Sequence, residues 1–286
     1  MPIDTRVIDN PKADRVRRVA DLGSRKTRER VGRFLIEGPQ SVREAVRYRP
    51  EAVLDLYVEV TVGSGPVRPM NRTVERIEEE AREAGIYVHH VSGAVMNRLS
   101  KDSQGVVAVG AEAVMSVDAH DLRLPDDAIV AACWQVRDPG NAGTVIRAAD
   151  AAGCSAMILV DDCVDRFNPK VIRSTAGSLF HIPVTTMGTD EFFGFCARRG
   201  IEVWAADVYG TPGRAPQPLP DALADPDALA GAKAVLFGNE ARGLDAGELE
   251  RARRIVSIPI YGRAESLNLG TSAAILLMSL AMRAHV

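Results

Sequence analysis

The sequence predicts an α/β protein of two domains, a smaller one followed by a larger one built on a mostly parallel sheet. Three observations carry this reading. Short apolar, β-rich runs alternate with helical stretches along the chain; a polar, proline-bearing segment interrupts the alternation near Asp118; and 286 residues suffice for two cores of ordinary size. Apolar residues make up 46% and charged residues 26%, the balance of a soluble globular chain. No apolar run approaches the roughly 20 residues that a membrane-spanning helix needs. The opening MPIDTRVIDN lacks the basic, apolar and small-residue succession of a secretory signal, so cytosolic residence is expected. Cys133, Cys154, Cys163 and Cys196 form no C-x-x-C pair and have no histidine at ligand spacing. Buried, reduced thiols are therefore expected, with no metal site.

The first domain is expected over 1–117. From Pro11 to Arg30 the pattern is that of a basic helix, with Val16, Val19, Ala20 and Leu22 as its apolar stripe and Gly23-Ser24 as an interruption. FLIEG then reads as a strand, SVREAVRY as a helix and AVLDLYVEV as a second strand, before the turn-rich TVGSGPVRPM. The helix TVERIEEEAREAG, the strand IYVHHV, the helical SGAVMNRLS and the strand GVVAVGAEA complete this domain. A linker is expected near 116–127, where MSVDAHDLRLPDD has no sustained apolar period. Over 128–286, strands are expected at AIVAACWQV, SAMILVD, IEVWAAD, KAVLFG and RIVSIPI. The Pro-rich YGTPGRAPQPLPDALADP reads as a surface loop.

A net charge of −3 does not advertise nucleic-acid binding, but distribution matters more than the sum. Between Lys12 and Arg49 lie twelve Lys or Arg against five Asp or Glu, a local balance of +7. Arg15, Arg18, Arg25, Lys26, Arg28 and Arg30 are the candidate phosphate contacts on this face. A solvated amphipathic helix followed by a loop would carry the same charges.

Three loops follow apolar strands in the second domain, where open parallel sheets bind ligands. The first, VRDPGNAGTVIRAADAAG, sets Pro139, Gly140, Asn141 and Gly143 between strand and helix, with Arg147 one turn into the helix. The second, LFGNEARGL, puts Asn239 and Glu240 directly after a buried strand, a costly place for a carboxylate that has no partner. The third, IPIYGRAESLNLGTSAAILLMSLAM, carries Glu265, Ser266 and Asn268 into a long apolar helix. Neither the G-x-G-x-x-G spacing of a dinucleotide fold nor the G-K-[ST] of a P-loop is present, which argues against both nucleotide readings. Taken singly, Asn141 and Ser266 fit helix caps, and Arg147 fits a surface arginine packing its stem.

In this order, the three segments resemble the three motifs of the SpoU/TrmH family in the SPOUT methyltransferase superfamily. FLIEGPQSVREAV and SQGVVAV resemble the substrate-binding domain that precedes the catalytic domain in many members. The likeness spans roughly Arg15 to the C-terminus. It departs at Ser103, where a proline is usual, and at Gly270-Thr271, where Ser-Val is frequent.

The resemblance implies a SPOUT α/β catalytic domain with a deep trefoil knot, which general folding rules would have excluded. Before it would stand a ribosomal-protein-like α/β domain that binds RNA. It further implies a homodimer formed through the C-terminal domain. S-adenosylmethionine is the implied cofactor, held by Leu236, Gly238, Asn239, Gly243, Ile258, Ile260, Ser266 and Leu267, and no metal is required. The implied reaction is methyl transfer to a ribose 2′-hydroxyl, with the two-domain layout pointing to 23S ribosomal RNA. Asn141, Arg147, Glu240, Ser266 and Asn268 would form the catalytic set. The family's arginine has been considered as a general base, but a guanidinium with a pKa above roughly 12 serves equally as an orienting clamp on a phosphate. Asn141 would position Arg147 or the ribose, and Glu240 would orient these groups or accept the proton. A tRNA ribose methyltransferase, a base methyltransferase and a non-catalytic RNA-binding or ribosome-assembly factor are the competing readings.

Overall fold

The computed structural model describes residues 4–61 and 68–285. It divides into two compact units. The first holds the described residues up to Ser116 together with Asp165–His181, and the second holds Val117–Val164 and the described residues from Ile182 onward. The sequence expectation kept 165–181 in the catalytic domain, whereas by packing this segment belongs to the first unit.

The first unit is built on a mixed sheet of β1 (Asp4–Ile8), β2 (Arg33–Glu37), β3 (Val53–Thr61), β4 (Arg68–Pro69), β5 (Tyr87–Val91) and β6 (Val106–Ala111). Its order is β1-β5-β3-β6-β2, with β4 paired to β3. β1 was not expected from the sequence, and most of TVGSGPVRPM lies outside the described residues. The basic helix expected over 11–30, interrupted at Gly23-Ser24, is two helices, Asp14–Ala20 and Arg25–Val31, joined by a 3-10 turn at Asp21–Gly23. Val16, Val19 and Leu22 are buried in the same cluster as Leu35, Tyr57 and Val109, so the apolar stripe faces the sheet.

One cation of that helical pair departs from expectation. Arg28 is 2% exposed. Its Nη2 pairs with Asp165 Oδ2 at 2.5 Å, and its Nη1 donates to the carbonyls of Leu22 and Gly23 at 2.9 and 3.0 Å. A guanidinium so enclosed offers nothing to a phosphate, so Arg28 is a structural residue and leaves the candidate RNA contacts. Arg15, Arg18, Arg25, Lys26 and Arg30 are exposed, although Arg15 also contacts His89 and Asp55. The segment from Asp165 adds further contacts within this unit: Phe167 stacks on Phe34 with ring centroids 4.5 Å apart, and Arg173 pairs with Glu37 and Asp102.

The second unit is a seven-stranded, all-parallel sheet. Its strands are β7 (Ile129–Trp134), β8 (Ala156–Val160), β9 (Val184–Met187), β10 (Glu202–Ala206), β11 (Gln217–Pro218), β12 (Lys233–Phe237) and β13 (Arg254–Ser257), in the order β11-β13-β10-β12-β7-β8-β9. The continuous apolar runs in β7, β8 and β12 are those of strands buried on both faces. β9 and β11 were not expected. The Pro-rich stretch is not all loop either, because it contains β11 and the helix Leu219–Ala224, whose start tolerates proline. Among the described residues no helix is long and apolar enough to cross a membrane.

Register positions the site. Phe237 pairs with Cys133 on one side and with Ala206 on the other, and Ala206 pairs in turn with Val256. The carboxyl ends of β7, β12, β10 and β13 therefore stand level, and the loops leaving them emerge side by side.

Candidate active site

Each of the three loops is shaped by local chemistry. Asp138, not Asn141, caps the helix Pro139–Ala151, its Oδ1 accepting the Asn141 amide at 2.8 Å with Pro139 in the first turn. Asn268, not Ser266, caps the helix Leu269–Ala284 by accepting from Gly270 and Thr271. The two helices approach closely at Gly270, where an added Cβ would lie 2.5 Å from Thr144 Cγ2. In the second loop, Asn239 and Gly243 exchange backbone hydrogen bonds of 3.0 and 2.8 Å. Gly243 takes a φ of 72° there, and a Cβ on Gly238 would lie 2.3 Å from the Gly243 carbonyl carbon. Both positions require glycine.

With the caps supplied by other residues, the Asn141 side chain is free for a different task. Its Nδ2 donates to Glu240 Oε1 at 3.4 Å, and its Oδ1 accepts from Asn268 Nδ2 at 3.0 Å. Glu240 Oε1 also accepts the Asp138 backbone amide at 3.0 Å, and Oε2 that of Arg137 at 3.4 Å. The carboxylate is thus partnered at a helix N-terminus, where the helix dipole favours negative charge. Glu240, Asn141 and Asn268 form one relay that ties the three loops together.

This relay lies along a cavity of about 580 Å³, within the usual range for small-molecule sites. Of the expected residues, Asn141, Gly238, Asn239, Glu240, Gly243, Ile258, Ile260, Ser266, Leu267 and Asn268 line it. The Asn239 side chain is spent on the loop itself, donating to the Gln135 carbonyl at 2.7 Å and accepting the Ala241 amide. Leu236 does not line the cavity. It is fully buried in the core cluster, and the next residue, Phe237, faces the cavity instead, because side chains alternate along a strand. Arg147 does not line it either. It sits exposed two turns into its helix, not one, and among the described residues its guanidinium has no hydrogen-bond or ion-pair partner.

Asp207, Tyr209, Arg242 and Glu265 also line the cavity, and no motif in the sequence marks them as wall residues. Tyr209 donates to Glu265 Oε1 at 2.6 Å, and this bond pushes its phenol above the ordinary value. Asp207 sits at the end of the strand IEVWAAD, so its place beyond a carboxyl end was a signal that could have found it. Asp207, Glu240 and Glu265 give the lining three carboxylates against one guanidinium, a balance suited to a cationic sulfonium. Half-buried Ile258, Ile260 and Leu267 supply apolar contact for the rest of such a molecule. The residues present fit S-adenosylmethionine. No group of three or more metal-ligating side chains occurs among the described residues.

Known proteins resemble the chain along most of its length. The profile of the MRM3-like substrate binding domain matches residues 13–108. The chain is 30% identical over 280 residues to the 23S rRNA (guanosine(2553)-2′-O)-methyltransferase RlmP of Bacillus subtilis (strain 168), covering 96% of this chain and 98% of that protein. It is also 30% identical over 261 residues to the 23S rRNA (uridine(2479)-2′-O)-methyltransferase of Streptomyces viridochromogenes, covering 90% and 85%. The crystal structure of an AdoMet-bound rRNA methyltransferase from Sinorhizobium meliloti superposes with a TM-score of 0.80 at 27% identity, covering 98% of both chains. Since the profile of the SpoU rRNA Methylase family matches residues 128–278, more than half of its length, the chain belongs to that family.

Proposed function

We propose that the chain transfers a methyl group from S-adenosylmethionine to a ribose 2′-hydroxyl of 23S ribosomal RNA. The observation that carries this reading is the Glu240-Asn141-Asn268 relay along a single cavity. S-adenosylmethionine, when bound, supplies a methyl group on a sulfonium leaving group. The chain must then align the hydroxyl for in-line displacement and help remove its proton. Glu240 holds the loop geometry and offers a carboxylate for that proton. Asn141 fixes Glu240 and Asn268 with its two amide atoms, and Ser266 borders the same space. RlmP and the Streptomyces enzyme, which this chain resembles along most of its length, are named for this reaction on 23S rRNA.

The homodimer belongs to the same proposal. On the C-terminal helix Met282 is 58% exposed and Ile275 and Met278 are only half-buried, and in the loop before it Tyr261 is 93% exposed. An apolar face of this kind supports pairing with a second copy. Arg147 stands outside the cavity of its own subunit, so it would serve the acceptor site of the partner. There a guanidinium that keeps its proton clamps an RNA phosphate. A trefoil knot around the second and third loops and residence in the cytoplasm complete the reading. The test is incubation of the purified protein with S-adenosylmethionine carrying a labelled methyl group and 23S rRNA. Incorporation into RNA is expected, and its absence with every ribosomal RNA substrate would favour the assembly-factor alternative.

A further inference from the structure

Arg242, two residues past Glu240, is the only Lys or Arg among the described residues that line the cavity, and one hydrogen bond and one ring contact hold its exposed side chain. Its guanidinium lies over the Trp134 indole, 5.0 Å from the ring centroid, and its Nη2 donates to Gln135 Oε1. Gln135 is fixed in turn, because its Nε2 donates to Asp161 Oδ2 at 3.1 Å. Thr189 Oγ1 donates to the same oxygen at 3.2 Å, and Trp134 Nε1 donates to Thr189 Oγ1 at 3.1 Å. The contacts close into a ring: Trp134, Thr189, Asp161, Gln135, Arg242 and Trp134 again. Gln135 and Asp161 both hold positive φ angles, 51° and 62°. Non-glycine residues adopt that conformation at a cost, and such strain gathers at functional sites.

A surface arginine ordinarily samples many rotamers, and ordering it on a ligand is costly. Here the hydrogen bond to Gln135 and the contact with Trp134 orient it beforehand, and no further hydrogen bond engages the guanidinium among the described residues. A stacked, pre-oriented fork with free donors is the geometry that recognises a phosphate in bidentate fashion. Placement decides between ligands. Trp134 and Gln135 end β7, which leads into the Asn141 loop, whereas Asp207, Tyr209 and Glu265 reach the cavity from β10 and the third loop. β7 and β10 flank β12 on opposite sides, so Arg242 leans toward the acceptor loop and away from the carboxylate-rich wall.

We propose that Arg242 binds a phosphate of the acceptor RNA strand and so sets the target ribose against Glu240 and Asn141. This rests on the reading of the chain as an rRNA ribose methyltransferase. The experiment compares the full-length protein with Arg242→Ala and Arg242→Lys, measuring KM for 23S rRNA, KM for S-adenosylmethionine and the salt dependence of RNA binding without cofactor. Arg242→Ala is expected to raise the RNA KM about tenfold or more, to leave the cofactor KM within about twofold, and to flatten the salt slope by about 0.7–0.9. Arg242→Lys should restore the slope but not the full RNA KM, since it returns the charge without the fork. A raised cofactor KM with an unchanged RNA slope would assign Arg242 to the cofactor's carboxylate and overturn the proposal. Unchanged RNA parameters with a lowered melting temperature would reduce the ring to a prop and overturn it equally. The slope is read without turnover, so it tests the phosphate contact even if the wild-type protein transferred no methyl group, a result that would instead sink the functional reading.

Discussion

Asn268 Nδ2 donates to Asn141 Oδ1 at 3.0 Å, joining the cap of one helix to the first turn of another across 127 residues of sequence. Through Asn141 the bond continues to Glu240, so substitutions along this line should not act independently. Asn141→Ala and Glu240→Ala are each expected to lower kcat about 10- to 100-fold, the loss for hydrogen bonds to a charged group. The double variant should lose less than the product of the two, with a coupling of about 0.5–3 kcal/mol. Strict multiplicativity in steady-state kinetics would dissolve the relay into separate residues.

Arg147→Ala should abolish methyl transfer while leaving S-adenosylmethionine affinity nearly intact, because Arg147 is exposed and outside the cavity of its own chain. Calorimetric titration of the cofactor together with a turnover assay separates the two effects. Retained turnover would remove Arg147 from the mechanism.

Arg28→Ala should destabilise the first unit by about 3 kcal/mol or more, since it leaves Asp165 and two backbone carbonyls without their partner. Arg25→Glu, which breaks an exposed i,i+4 pair with Glu29, and Lys26→Glu should each cost about 1 kcal/mol or less. They should instead weaken RNA binding and flatten its salt slope. Denaturant titration and RNA titration at several salt concentrations check the pair of outcomes.

Burial raises Cys154 and Cys196 to about 12 and Cys163 to about 11, and Cys133 is also pushed well up. All four should resist alkylation at neutral pH until denaturant is added. The sign of the linked stability follows. Below the ordinary thiol value of 9.0 both states are protonated, and above it only the unfolded chain ionises. Stability should therefore fall as pH rises from about 9 toward 11. Rapid labelling of the native protein would contradict this.

Much of the fold was legible because apolar period and strand-end loops are local properties. β7, β8, β10, β12 and β13 were each visible as apolar runs, and the carboxyl ends of parallel strands marked where loops meet. What escaped was nonlocal. Arg28 reads as one more surface cation in a basic stretch until its partner, Asp165, arrives from 137 residues away. Leu236 and Phe237 are equally apolar, and only the strand's phase against its neighbours decides which one reaches the cavity. The caps fell on Asp138 and Asn268, because several polar residues near each helix start could have served. Arg242 carried no motif, since its role depends on Trp134 and Gln135 at the end of another strand.

The most direct measurement is the position of the methyl group. 23S rRNA methylated by the protein with labelled S-adenosylmethionine is hydrolysed in alkali, which cleaves only where the 2′-hydroxyl is free. The label is expected in one alkali-resistant dinucleotide, accumulating there about 10- to 100-fold more slowly with Glu240→Ala. Label released in a mononucleotide would place the methyl group on a base and contradict this expectation.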